Sequence, residues 1–129
     1  MKTFNTFQEA LSFQIGENNG YNQIKCLETG IENIDCLQFS VGEVVWLILA
    51  DGFYLDDYEE SVTQYGITAK GEWAVVYGGH CSCFGWEEMS SGDITYYPSF
   101  EVILKADKNA DVIIRHKEIL KASYPFLEI

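Results

Sequence analysis

The chain has 129 residues, a formal net charge of -12, and hydrophobic and aromatic contents of 47% and 15%. This length and apolar content indicate one compact domain, residues 1–129, and exclude an intrinsically disordered chain. The negative charge argues against direct binding to nucleic acid or to an anionic membrane, because an acidic surface repels both.

The sequence also favours a cytoplasmic location. The longest apolar run, Val44–Ala50, is too short to cross a bilayer. The first residues, Met1–Asn5, lack the apolar core of a secretory signal peptide. In a reducing compartment, we expect the four cysteines to be free thiols or metal ligands rather than disulfides.

Two short helices are predicted before residue 40. Thr6 and Glu9 have the spacing of a capping box, which predicts a first helix at about 6–13. The pattern of residues 21–29 is typical of a second short helix, which ends before Gly30. Cys26 and Cys36 lie in this part of the chain, and we interpret them as small buried side chains.

A central strand and an acidic segment follow. Residues 43–50 are rich in β-branched and aromatic side chains without alternation, which predicts a strand that is buried on both faces and central in the sheet. Asp51-Gly52 is expected to end this strand or turn it. The next residues form an acidic, aromatic stretch that we interpret either as a solvated loop or as a surface for a partner. The candidate contact residues in this stretch are Asp56, Asp57, Tyr58, Glu59 and Glu60.

The region 61–78 is predicted to be a β-hairpin. Thr63, Tyr65 and Ile67 alternate with other residues, as expected for a half-buried strand. Lys70-Gly71 is a tight-turn signal, and residues 73–77 are apolar enough for the returning strand. Together with strand 43–50, the hairpin predicts an antiparallel sheet of about three to five strands.

The C-terminal part is expected to be mainly helical. Ser99 is placed to cap a short helix with Phe100, Ile103 and Leu104 on one face, although the β-branched residues there also allow a strand. A break is expected at residues 107–110. The last helix is predicted at about 111–123 and ends before Pro125. Its inward face is predicted to comprise Val112, Ile113, Ile119 and Leu120, with His116 as a core or edge residue.

The segment after the hairpin concentrates the residues with reactive side chains. His80, Cys81 and Cys83 are three candidate zinc ligands, and Cys26, Cys36 or His116 would supply a fourth. A single residue separates Cys81 from Cys83, whereas zinc knuckles usually place two to four residues between paired cysteines. A zinc site is therefore one hypothesis for this segment, and a purely structural turn is the simpler one.

Thiol chemistry is a further alternative. A cysteine nucleophile needs a nearby base, and His80 is adjacent to Cys81, but neighbouring side chains on a strand point apart. A phosphate-binding loop is excluded because Gly78-Gly79 is not followed by the Lys and Ser/Thr of that motif. The acidic residues Glu87 and Glu88, together with Trp86, extend the candidate partner surface.

The run Gly79-His80-Cys81-Ser82-Cys83-Phe84-Gly85-Trp86-Glu87 resembles a Gly-x-Cys-Ser-Cys-aromatic-Gly-x-Glu pattern. We associate this pattern with small uncharacterised proteins of bacteriophages and their bacterial hosts. The resemblance covers residues 43–105. It implies a phage-like origin and no activity that is transferable to this chain.

The sequence thus predicts an α+β protein with an antiparallel sheet flanked by short helices. Its predicted function is non-enzymatic: an acidic phage-type protein, without a cofactor, that binds and modulates a host protein through a basic surface of that protein. The host protein would be a nucleic-acid-handling or defence component. The alternatives are a zinc-stabilised or thiol-active protein and an immunity-type protein that neutralises a toxin.

Overall fold

The computed structural model describes residues 3–16, 44–56, 59–81, 90–91 and 94–129. Within these ranges the chain forms an antiparallel sheet and several short helices, so the predicted α+β class is confirmed. The strands are β1 (Val44–Asp56), β2 (Glu59–Thr68), β3 (Trp73–Cys81), β4 (Ser90–Ser91) and β5 (Thr95–Tyr97). The helices are α1 (Phe7–Gly16), α2 (Phe100–Ala106), α3 (Asp111–Arg115) and α4 (Lys117–Ser123), with a 3-10 turn at Lys108–Ala110.

The strand order is β1-β2-β3-β4, and β5 also pairs with β3. The short strands β4 and β5 lie along different parts of β3, opposite Gly78–Gly79 and residues 73–75 respectively. Among the described strands, β2 and β3 are therefore central and β1 lies at one side of the sheet. For the described residues, the prediction of a central position for the first strand is therefore wrong.

Strand β1 is longer than its sequence indicated. Asp51-Gly52 was expected to end the strand, but β1 continues through it to Asp56. The pairing with β2 shifts register between Ala50 and Phe53, so the two intervening residues are accommodated as a bulge rather than a turn. The long partner strand β2 continues beyond this point, and its backbone groups pair with the second half of β1.

The predicted hairpin is confirmed. Strands β2 and β3 pair in continuous register from Glu59–Cys81 to Ile67–Trp73. The turn is closed by two hydrogen bonds: Thr68 N–H donates to the Glu72 carbonyl, and Gly71 N–H donates to the Thr68 carbonyl. Gly71 has a φ of 81°, the left-handed conformation that follows a type I turn in three-residue hairpin loops.

One face of the sheet forms the main core with the helices. Strand residues such as Ile48, Tyr65 and Val75 pack there against α1, α2, the 3-10 turn, α3 and α4. Each helix alone is too short to be stable in water, so its burial against this face maintains it. The buried members of this core from the C-terminal part are Ile103, Ala110, Val112, Ile113, Leu120, Tyr124 and Leu127.

The other face of the sheet is also buried. Val44, Trp46, Ala74 and Val76 all have at most 2% of their surface exposed, although none belongs to the main core. The prediction that the first strand is buried on both faces is therefore confirmed for Val44–Ile48. Gln64 is 1% exposed, and both polar atoms of its amide lack a hydrogen-bond partner in the described structure. Such a group costs folding free energy unless another partner satisfies it.

Helix α1 begins as the sequence predicted. Glu9 N–H donates to the Thr6 side-chain oxygen at 3.1 Å, and the Glu9 carboxylate accepts from Asn5 N–H at 3.2 Å. This reciprocal arrangement satisfies two donors at the helix start. The helix extends to Gly16, three residues beyond the prediction. The predicted helix at 21–29, with Cys26, lies outside the described residues, as does Cys36.

The C-terminal helices agree with the prediction in their positions but not in their continuity. Ser99 caps α2 by accepting from Val102 N–H, so the helical alternative is confirmed over the strand. The predicted helix at 111–123 is interrupted at the half-buried His116, whose φ of -115° and ψ of 22° are not helical. The break changes the helical phase, so Ile119, predicted inward, is 43% exposed. Helix α4 ends at Ser123, two residues before Pro125.

Burial of Tyr124 gives stability a pH dependence above pH 10. Tyr124 is 4% exposed, and desolvation raises the pKa of its phenol from 10.0 to about 12. Because the pKa is raised, the stabilisation of the folded protein by the neutral phenol of Tyr124 is complete below pH 10 and is lost as the pH rises towards 12. Between pH 9 and pH 11, the free energy of unfolding of the wild type should fall by about 1.4 kcal/mol more than that of Tyr124→Phe. Urea unfolding at the two pH values measures this difference. Equal losses in both proteins would contradict the assignment.

Candidate functional site

The sheet brings together the acidic segment and the His-Cys motif, which are about 20 residues apart in the chain. At one end of the hairpin, Glu59 pairs with Cys81 and Glu60 pairs with His80. On the other side of β2, Glu59 also pairs with Asp56 at the end of β1. The acidic segment and the first part of the His-Cys motif therefore lie on adjacent strands. We call this group of residues 56, 59, 60, 80 and 81 the strand-end cluster.

The register pairs two acidic residues in this cluster. Asp56 and Glu59 occupy one register position, and Glu60 is the next residue along β2. Carboxylates directly opposite each other in an antiparallel pair destabilise the sheet. A cationic group bound to the cluster would relieve this repulsion. The local charge thus favours cations from a partner over anions.

The described residues include only part of the predicted partner surface. Asp56, Glu59 and Glu60 are strand residues, so these three positions of the acidic stretch are not in a loop. The remaining predicted contact residues lie outside the described residues: Asp57, Tyr58, Trp86, Glu87 and Glu88.

Three of the candidate zinc ligands, His80, Cys81 and His116, are among the described residues. His80 and Cys81 are consecutive residues at the end of β3, and Cys83 lies outside the described residues. Within the described part of the chain, no group of three or more His, Cys, Asp or Glu residues is arranged to hold a metal ion. His116 lies at the junction of α3 and α4, where its N–H donates to the Val112 carbonyl.

A second polar cluster was not predicted from the sequence. The carboxylate of Asp107, which is 8% exposed, accepts hydrogen bonds from Tyr65 Oη at 2.9 Å and from Tyr77 Oη at 3.3 Å. Its other oxygen accepts from Asn109 N–H at 3.0 Å and caps the 3-10 turn. The sequence signal was Asp107-Lys108-Asn109, which is typical of an Asx turn. Nothing in the sequence indicated its tyrosine partners, because they are 42 and 30 residues away.

The Asp107 cluster connects the helical layer to the sheet close to the strand-end cluster. Tyr77 is three residues before His80 on β3, and it is 51% exposed although its hydroxyl is bonded. The cluster contains a carboxylate that accepts three hydrogen bonds and two phenols that donate to it. This arrangement fixes the position of β3 and α2 relative to each other and contains no paired nucleophile and base.

Comparison of the chain with known protein families, curated proteins and solved structures gave no match. None of the helices in the described ranges combines the length and apolar character that a bilayer span requires. The functional assignment therefore rests on the charge of the chain and on the register of its strands.

Proposed function

We propose that this chain is a small acidic, phage-type protein of the cytoplasm that binds a host protein and inhibits or modulates it. The observation that supports this proposal best is the pairing of Asp56 with Glu59, beside Glu60, at one end of the sheet. This register groups three acidic residues at adjacent strand positions, and a complementary basic surface would gain from meeting them.

The chemistry of the partner follows from the same charges. A chain with a net charge of -12 is attracted to basic surfaces, which are common on proteins that handle nucleic acids. We therefore propose a nucleic-acid-handling or defence component as the partner. An immunity-type role, in which the partner is a toxin, requires the same complementary face.

The test is the loss of partner binding after charge reversal. The immobilised protein captures its partner from a bacterial lysate, and the purified partner is then titrated with wild type and with Asp56→Lys/Asp57→Lys/Glu59→Lys/Glu60→Lys. We expect affinity to fall at least tenfold in the variant. For wild type, it should also fall as salt rises from about 50 to about 300 mM, because salt screens exposed charges.

A matched pair of variants separates local charge from net charge. Glu59→Lys/Glu60→Lys and Asp111→Lys/Glu118→Lys change the net charge equally, but the second pair lies at exposed positions of α3 and α4. Only the first pair should weaken binding. Equal weakening by both pairs, or unchanged affinity in the fourfold variant, would refute the proposed surface.

The zinc-stabilised or thiol-active alternative uses His80, Cys81 and Cys83. Its support in the structure is limited to the pairing of Glu59 and Glu60 with Cys81 and His80, which adds carboxylates to the neighbourhood of this motif. Native mass spectrometry of protein purified without chelator distinguishes the two functions before the capture experiment. A mass higher by one zinc, abolished in Cys81→Ser and Cys83→Ser, would favour the alternative.

A further inference from the structure

A second surface lies at the opposite end of the hairpin from the strand-end cluster. It is a cleft of about 700 Å³ between the hairpin turn, the start of α2 and the C-terminal segment. Its volume is within the range of sites that bind small ligands or side chains. Ile67, which lines the cleft, is eight positions after Glu59 on β2, and this corresponds to about 26 Å along the strand.

Four aromatic residues line this cleft. The rings of Trp73 and Phe100 pack with their centroids 5.3 Å apart, and those of Phe7 and Phe126 pack at 6.2 Å. Trp73 is fully buried and belongs to the floor. Phe7, Phe100 and Phe126 are half-buried, so part of each side chain remains accessible to a ligand.

The charged residues that line the cleft are two acids and one base. Glu101 and Glu128 are exposed, as is Lys70 on the hairpin turn. In the described part of the structure, neither glutamate takes part in an ion pair or hydrogen bond. Aromatic faces attract cations through their quadrupole, and carboxylates at the same site add a charge-assisted hydrogen bond.

We propose that this cleft receives an arginine side chain from a basic segment of the partner. The inference rests on the proposed function and adds a second contact to it, at a distance from the strand-end cluster. A planar guanidinium stacks on aromatic rings and donates two parallel hydrogen bonds to one carboxylate. A lysine ammonium has no planar group for either contact. Lys70 is then available to a carbonyl or carboxylate of the same segment.

The experiment uses a capped peptide, acetyl-Gly-Ala-Arg-Ala-Gly-amide, as the probe. Its binding to the full chain is followed by the amide NMR shifts of Gly71, Phe100 and Glu101. We expect saturable shifts at these residues, and about fivefold weaker binding of the same peptide with neutral citrulline in place of arginine. Equal binding of the citrulline peptide, or tighter binding of a glutamate peptide through Lys70, would overturn the inference.

Variants assign the effect to the cleft. Glu101→Gln/Glu128→Gln should weaken binding of the arginine peptide about fivefold, whereas Asp111→Asn/Glu118→Gln should not change it. Because the peptide titration does not use the captured partner, a failure here leaves the test of the strand-end cluster intact. Peptide shifts confined to residues outside the cleft would refute the site.

Discussion

Replacing Gly66 by alanine is expected to lower the free energy of unfolding by about 3 kcal/mol. An added Cβ would lie 2.7 Å from Val44 Cγ1, 2.7 Å from the Val45 carbonyl oxygen and 2.8 Å from Trp46 Cε3. Real Cβ atoms do not approach other atoms this closely. One of the three contacts is to the backbone of β1, so the strand pair must separate rather than only rotate a side chain.

The measurement is urea unfolding of Gly66→Ala beside a second glycine variant, Gly71→Asn. No atom lies within 4 Å of a Cβ built at Gly71, and asparagine tolerates its positive φ. Gly71→Asn should therefore cost less than about 1 kcal/mol. If the two variants are equally stable, close packing of β1 against β2 is not the reason for glycine at position 66.

A double-variant cycle measures how much of the cost of Gly66→Ala comes from the contact with Trp46. Trp46→Leu removes the ring atom nearest to Gly66 and creates a cavity, so it destabilises the protein by itself. In that background, Gly66→Ala should cost about 1 kcal/mol less than in the wild type, because the contact with the Trp46 ring is gone. The residual cost then reports the remaining contacts with Val44 Cγ1 and the Val45 carbonyl oxygen.

Removing the Asp107 side chain is expected to cost about 3 kcal/mol in the Asp107→Ala variant. The substitution removes the acceptor that Asp107 supplies to the hydroxyl of Tyr65, a fully buried residue, and the loss of such a buried hydrogen bond costs about 1–3 kcal/mol. It also removes the cap of the 3-10 turn, which adds about 1 kcal/mol. Urea unfolding measures the sum.

The tyrosine partners provide matched controls for this prediction. Tyr65→Phe and Tyr77→Phe each remove one donor and leave the carboxylate with its remaining bonds, so each should cost about 1 kcal/mol. In the Tyr65→Phe background, Asp107→Ala should cost less than in the wild type, because no buried hydroxyl loses its acceptor. Strict additivity of the two changes would show that the cluster contributes nothing beyond the cap.

Local signals in the sequence correctly predicted the local structure. Thr6 with Glu9, Ser99 and Lys70-Gly71 each satisfy nearby backbone groups within a few residues, so their effect needs no knowledge of the rest of the chain. The predicted helix at 111–123 was partly wrong because its interruption at His116 leaves Ile119 away from the core. The Asp51-Gly52 signal was wrong because pairing with β2 overrides a local turn preference.

The residues of the candidate site were also predicted from the sequence, but their arrangement was not. The sequence indicated the acidic segment and the His-Cys motif separately, because carboxylates, imidazoles and thiols are recognisable without a structure. Their adjacency could not be predicted, since it depends on the register of β1 with β2 and of β2 with β3. The aromatic cleft was missed for a related reason: its four rings are distributed from Phe7 to Phe126, and each resembles an ordinary core residue in the sequence.

The sequence by itself determined the acidic charge, the α+β class, the hairpin and the starts of α1 and α2, because these depend on composition, periodicity and contacts within a few residues. Only the tertiary structure decided that Glu59 lies between Asp56 and Cys81, that Asp107 accepts from two tyrosines, and that a Cβ at position 66 would meet Val44, Val45 and Trp46. Apart from the Asp56–Glu59 pair, these features join residues distant in sequence, and strand register and close packing of the whole chain fix such pairs.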